Sequence, residues 1–172
     1  MRIYISSPIG GGKSTVAKLV SIATGIPCIL AKLEEKHYIQ EPKSAYDTQM
    51  NVSGRLIALD KYDGIFDESL FGVLAFTKLG VEDRTITKRQ EEDIKSVVYP
   101  PLNIICSEPM RYVALNLTPM QCYMSAKKRG RSFENGLTEE FMDRLDGKIK
   151  EVEREWDLDV EVIPSSLLRG SK

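Results

Sequence analysis

Apolar positions along this chain recur with two periods, and the two periods alternate. Arg2-Ile3-Tyr4-Ile5-Ser6 is a short β-branched run that predicts a buried parallel strand. Between Ser14 and Ala23, the residues Val16, Leu19, Val20 and Ala23 fall at i, i+3, i+4 and i+7. That spacing predicts an amphipathic helix, which Gly25 is placed to stop. Pro27 to Ala31 predicts a second strand, whereas the polar stretch 33–43 carries no clear period. Ala45 to Asp60 predicts a helix with Val52, Leu56 and Leu59 on one face, and Gly64-Ile65-Phe66 a third strand ending in Asp67 and Glu68. Leu70 to Leu79 reads as an apolar helix. Thr87-Lys88-Arg89-Gln90 is a capping box opening a helix through Val98, which Pro100-Pro101 is expected to break. Arg111 to Leu117 predicts a fourth strand, and Pro119 starts the next helix. Thr138 caps a long helix with the stripe Phe141, Leu145, Ile149, Val152 and Trp156, and Val160 to Ile163 is the last strand. Strands alternating with helices predict an α/β fold with a mostly parallel sheet.

Composition narrows the function classes. A length of 172 residues suits one domain, and 42% hydrophobic with 28% charged residues excludes disorder for the bulk of the chain. Lys and Arg number 24 against 25 Asp and Glu, so a surface built to coat nucleic acid or an anionic membrane is not expected. Cys28, Cys106 and Cys122 are odd in number and widely spaced, which implies neither a disulfide framework nor a zinc site. Cys28 and Cys106 fall in apolar runs and read as packing residues. The absence of a long apolar run and of a charged-then-apolar leader makes a cytoplasmic setting the expectation.

The candidate chemistry begins at Ser7-Pro8-Ile9-Gly10-Gly11-Gly12-Lys13-Ser14-Thr15. The pattern is that of a phosphate loop, with Ser7 where the first glycine belongs, and a strand precedes it while a helix follows. Glycines let backbone N–H groups turn inward around phosphate oxygens, and the helix points its positive end at the same anion. Lys13 is then expected to reach the β- and γ-phosphates, and Ser14 to hold Mg²⁺. Asp67, at a neighbouring strand end, is the second candidate metal ligand; a solvated turn acid is the alternative. Lys127-Lys128-Arg129-Gly130-Arg131 with Glu134 is a basic segment whose guanidinium forks suit phosphate oxygens. Alone it reads as a solvated helix end; beside a phosphate loop it reads as a lid, spanning about residues 125–136.

Together these residues resemble the deoxynucleoside kinase family, most nearly its compact bacterial members. The likeness rests on Ile9 to Thr15, on Ala45-Tyr46-Asp47-Thr48-Gln49, on Asp67-Glu68-Ser69 with Phe76-Thr77-Lys78-Leu79, and on Lys128 to Glu134 with the helix to Trp156. It implies a three-layer kinase fold around a five-stranded parallel sheet, a triphosphate donor such as ATP with Mg²⁺, transfer of the γ-phosphoryl group to a deoxyribonucleoside 5′-OH, and a homodimer. Ser7, Ile9, Gly10, Gly11, Gly12, Lys13, Ser14, Thr15, Arg129 and Arg131 would hold the donor, and Gln49 would read the base.

The departures lie on the acceptor side. Glu68 stands where the family carries an arginine, and the place of the family's catalytic glutamate falls near Ala31 or Lys32, with Glu34 close by. Either Glu68 is the base and Lys32 takes the arginine's place, or Glu34 is the base. Leu56 and Val73 stand where many relatives carry an arginine and some an aspartate, so base reading would depend little on charge. Tyr46 and Tyr38 are candidates to touch sugar or base, with packing as the alternative. A monophosphate acceptor would need cations, for which Lys32, Lys36 and Arg55 are candidates. A nucleotide-binding protein without transfer activity is the third reading, motivated by the altered acceptor motifs. Asp83-Arg84-Thr85 mimics the acid-Arg-Ser motif but precedes a capping box rather than following a strand, and His37 reads as a surface residue.

Overall fold

The structure, a computed structural model, describes residues 1–31, 44–131, 134 and 136–164. Five strands, β1 (Arg2–Ser6), β2 (Cys28–Ile29), β3 (Gly64–Phe66), β4 (Met110–Asn116) and β5 (Val160–Pro164), form one sheet in the order β2-β3-β1-β4-β5. Every pairing is parallel; Ile3 faces Ile65 on one side of β1 and Arg111 on the other. The helices are α1 (Lys13–Thr24), α2 (Ala45–Leu59), α3 (Leu70–Glu82), α4 (Lys88–Ser107), α5 (Pro119–Arg129) and α6 (Glu139–Glu155). The parallel α/β sheet expected from the sequence is thus present, and it is five-stranded. Among the described residues no helix is long and apolar enough to cross a membrane.

Side chains alternate across each strand, so the sheet divides the core in two. Ile3, Ile5, Ile65, Val113 and Leu115 face α1 through Ala17, Val16 and Val20. Tyr4, Phe66 and Tyr112 face the opposite way, toward α2, α3, α4 and α6. α3 is apolar around most of its circumference, with Leu70, Phe71, Val73, Leu74, Ala75 and Leu79 all buried. Such a helix belongs at the centre of its layer, and α2, α4 and α6 surround it. Trp156 packs against this cluster, edge-on to Phe71 and Tyr99, as its place at the end of the α6 stripe predicts.

Local signals hold at most element ends. Gly25 closes α1 in the left-handed region at φ 72°, and Thr87 and Thr118 form full capping boxes. β2 is shorter than expected, two residues rather than five. The larger correction is α4. Pro100 and Pro101 do not break it; the helix continues to Ser107. Each interior proline costs about 3 kcal/mol through a lost N–H bond and a clash. Beyond and around them, Ile94, Val98, Leu102 and Ile105 are buried, each worth about 1.5–3 kcal/mol. Continuing past the prolines adds Leu102 and Ile105 to the stripe, which offsets their cost, and the two carbonyls that lose a partner belong to exposed Ser96 and half-buried Val97. Cys106 is a second correction. It is exposed rather than packed, because the turn of α4 that continues past the prolines turns it outward, while Cys28 is half-buried and Cys122 buried.

Candidate active site

The loops after β1 and β3 leave the same edge of the sheet, because the two strands are parallel neighbours. Ligands gather at this edge in open α/β sheets. The glycine loop follows β1 directly. Gly12 adopts φ 79° and caps α1 with no side-chain bond, so no side chain covers the positive end of α1; of its first-turn N–H groups, that of Thr15 turns back to the Gly12 carbonyl at 2.9 Å. Gly10 adopts φ 84°, and a Cβ there would stand 2.2 Å from the Cys122 carbonyl oxygen and 3.0 Å from the Ala126 nitrogen. The loop is therefore pressed onto the backbone of α5.

Ser7 departs from the phosphate-loop pattern, and the structure shows how it is accommodated. A Cβ on Gly11 would stand 2.1 Å from Ser7 Oγ and 2.6 Å from Ser7 Cβ. The space the missing first glycine would leave open is supplied by Gly11 instead. Ser7 lies buried behind the loop, where its hydroxyl donates to the Pro8 carbonyl at 3.1 Å.

Asp67 links the two loops. Its Oδ1 accepts the Ala31 N–H at 2.9 Å, and its Oδ2 accepts the Ser14 hydroxyl at 2.5 Å. Lys13 Nζ donates to the Ser7 carbonyl at 3.0 Å and pairs with Glu68 Oε1 at 3.3 Å. The Glu68 side chain opens to the cleft yet is walled by protein. That enclosure pushes its carboxyl above the usual range; Lys13 opposes the rise and Asp67 adds to it. Glu134 is buried and binds Arg129 through both carboxylate oxygens, with Arg131 at 4.0 Å. Gly130 ends α5 at φ 67°, between the two arginines.

These groups wall a cleft of about 510 Å³. It brings together Ile9, Gly10 to Thr15, Gln49, Leu56, Glu68, Val73, Arg129 and Arg131, all singled out from the sequence. Asp67 lies just beneath, joined to Ser14. Tyr46 packs against the core, and neither it nor Arg55 lines the cleft. Lys32, Glu34, Lys36, His37 and Tyr38 lie outside the described residues. The cleft also includes Thr48, from the stretch ending in Gln49, and Lys18 and Gly72, which the sequence did not mark. Lys18 was legible in principle, since it sits four residues after Ser14 on the same face of α1. One end of the cleft is cationic and rich in glycine N–H groups; the other is walled by Val52, Leu56, Val73 and Phe76, with Gln49 as an amide among them.

Ser14 and Asp67 offer two hard oxygen donors in contact with one another. Mg²⁺ takes few protein oxygens and completes its shell with substrate phosphates and water. The pair fits such an ion, and no group of three or more His, Cys, Asp or Glu that would suit an all-protein metal cage occurs among the described residues.

No family model matches the sequence, and no curated protein matches it. Solved structures do match. A deoxyadenosine kinase from M. mycoides with bound dCTP superposes with a TM-score of 0.73 at 19% identity, covering 96% of this chain and 91% of that one. The same kinase with bound dATP gives 0.71 at 20% identity over 96% and 91%. With the products dCMP and a flexible dCDP bound it gives 0.69 at 20% identity over 95% and 88%. Sheet order, glycine loop and helical layers together therefore give this chain a deoxynucleoside kinase-like fold.

Proposed function

We propose that the protein transfers the γ-phosphoryl group of a nucleoside triphosphate, ATP in the first instance, to the 5′-OH of a deoxyribonucleoside. The observation that supports this best is the cleft itself. A cationic, glycine-lined end and an apolar end with one amide both border Glu68. In this reading the N–H groups of Gly10, Gly12, Lys13 and Ser14 bind phosphate oxygens, while those of Gly11 and Thr15 hold the loop's own turns, and Lys13, Arg129 and Arg131 neutralise charge on the transferring group. Ser14 and Asp67 would hold Mg²⁺, which supplies further charge neutralisation on the phosphates. Gln49 orients the base between Leu56 and Val73. Glu68, at the junction, is placed to accept the hydroxyl proton; Glu34 is the other candidate.

A deoxynucleoside monophosphate acceptor is the second reading, favoured by one observation. Lys18 adds a cation to the cleft wall, where a neutral nucleoside would give it nothing to bind. A panel of the four deoxynucleosides and their four monophosphates, with ATP, Mg²⁺ and ADP release as readout, separates the two. Turnover on a nucleoside is expected. Turnover on monophosphates alone would favour the second reading, and silence with ATP still bound would leave a nucleotide-binding protein without transfer activity.

A further inference from the structure

The ammonium of Lys13 lies between two oxygens of its own chain, Ser7 O at 3.0 Å and Glu68 Oε1 at 3.3 Å. Only 14% of the lysine side chain is exposed there, and 31% of the glutamate. A pair so placed is less screened than one on the open surface. A triphosphate arriving on the glycine loop presents anionic oxygens to the same ammonium, beside the same carboxylate. Two anions at one lysine repel at close range, so one of them must give way.

Glu68 has somewhere to go. Its second oxygen already lies over the first turn of α3, where a Cβ on Gly72 would stand 3.8 Å from Oε2. Ser69 is the N-cap of that helix, so Glu68 stands at its positive end. Gly72 leaves room at the point toward which the carboxylate would turn, and Gly72 and Val73 belong to the acceptor end of the cleft. Leaving Lys13 therefore carries the Glu68 charge from the donor end toward the acceptor end.

We propose that Glu68 is the resident counter-ion of Lys13, and that the donor triphosphate binds by displacing it toward the first turn of α3. This rests on the phosphoryl-transfer reading above and adds a specific cost to donor binding. The carboxylate holds triphosphate affinity below what the loop and lysine alone would give, and it reaches the acceptor end only once the donor is in place.

The test is calorimetric titration of the full chain with adenosine 5′-(β,γ-imido)triphosphate and Mg²⁺, repeated with inorganic tripolyphosphate. Wild type is compared with Glu68→Gln, which keeps the side-chain size and removes the charge. The variant is expected to bind both probes about fivefold more tightly, the worth of one partly exposed ion pair. Glu68→Asp, shorter by a methylene and still charged, is expected between the two. Unchanged affinity in Glu68→Gln overturns the proposal, as does a gain confined to the nucleotide, because the competition is at the phosphates. Weaker binding in the variant would place Glu68 with the metal rather than against the phosphates, and also overturns it. Failure of both probes to bind either protein removes the phosphoryl-transfer reading itself, an outcome distinct from equal binding by both proteins.

Discussion

Ser7 and Gly11 settle one steric problem between them. The missing first glycine is legible in the sequence as a departure from the phosphate-loop pattern; its remedy four residues later is not, because it depends on how the loop folds back. The contact makes a prediction. Gly11→Ala forces a Cβ into Ser7 and is expected to destabilise the fold by about 1–3 kcal/mol, whereas Ser7→Gly with Gly11→Ala restores most of that loss. Urea denaturation of the four proteins in this cycle measures it; additive losses would mean that the two positions are independent. The position of Lys13 in the cleft was legible, since its place after the glycines puts it at the loop. Lys13→Ala is expected to lower kcat/KM for the donor at least about 100-fold while leaving the melting temperature within a few degrees, checked by steady-state kinetics and calorimetry. The partners of the charged site residues were not legible. Nothing in the spacing says that Glu134 would be buried against Arg129, or that Glu68 would hold Lys13, because both pairs join separate turns of chain.

At the scale of elements, local rules held wherever nothing longer-ranged opposed them. Capping boxes, the glycine stop of α1 and the start of α5 at Pro119 came out as the sequence implied. They failed in α4, where a buried stripe overrides two prolines. Pro100→Ala restores an N–H to an exposed turn and is expected to stabilise the protein by about 2 kcal/mol, the helix cost less the unfolded-chain entropy that proline saves, read as a higher denaturation midpoint; a loss would mean that the proline shapes the helix usefully. α3 and α6 are joined by charge as well as by packing. Lys148 bridges Glu82 at 2.8 Å and Glu151 at 3.2 Å, Lys78 pairs with Glu151 at 3.0 Å, and Arg144 reaches Glu82 and Asp83. Lys148 and Arg144 hold the Glu82 carboxyl below its ordinary value, and Lys78 does the same for Glu151 with help from Lys148. A lowered folded value means that the unfolded chain binds more protons as the medium acidifies. The contribution is complete above the ordinary carboxylate range and is lost as pH falls below that range and through the lowered values. Lys148→Gln is expected to cost stability at pH 7, with the gap to wild type narrowing as the pH falls below the ordinary carboxylate range, measured by melting at each pH. A constant gap across that range would assign the loss to packing.

For the molecule as a whole, the class of fold was legible because strand and helix periods alternate, and the position of the cationic end of the cleft because the glycine loop carries it. The apolar end was legible only in outline. Gln49, Leu56 and Val73 do line the cleft, but Lys18 and Gly72 enter it through packing of α1 and α3 that no local pattern announces. In the proposed function, an amide among aliphatic walls would leave discrimination between bases to shape and one polar edge. The four nucleosides are expected to differ in kcat/KM by no more than about tenfold for most pairs, and a single base favoured by a thousandfold would show that other groups do the reading.

The close seat of Gly10 on α5 also has a mechanical consequence. With no room for even a methyl group between them, loop and helix cannot slide past each other and must travel as one rigid piece. Arg129, the last residue of that helix, is fixed in the same frame as the phosphates it would meet and adjusts by side-chain torsion alone. Arg131 lies past Gly130, whose φ of 67° turns the chain out of the helix, so its backbone belongs to the turn that follows and not to α5. Of the two arginines only the first shares the frame of the loop: Gly130→Ala, strained at that φ, is expected to displace the second and leave the first where it is.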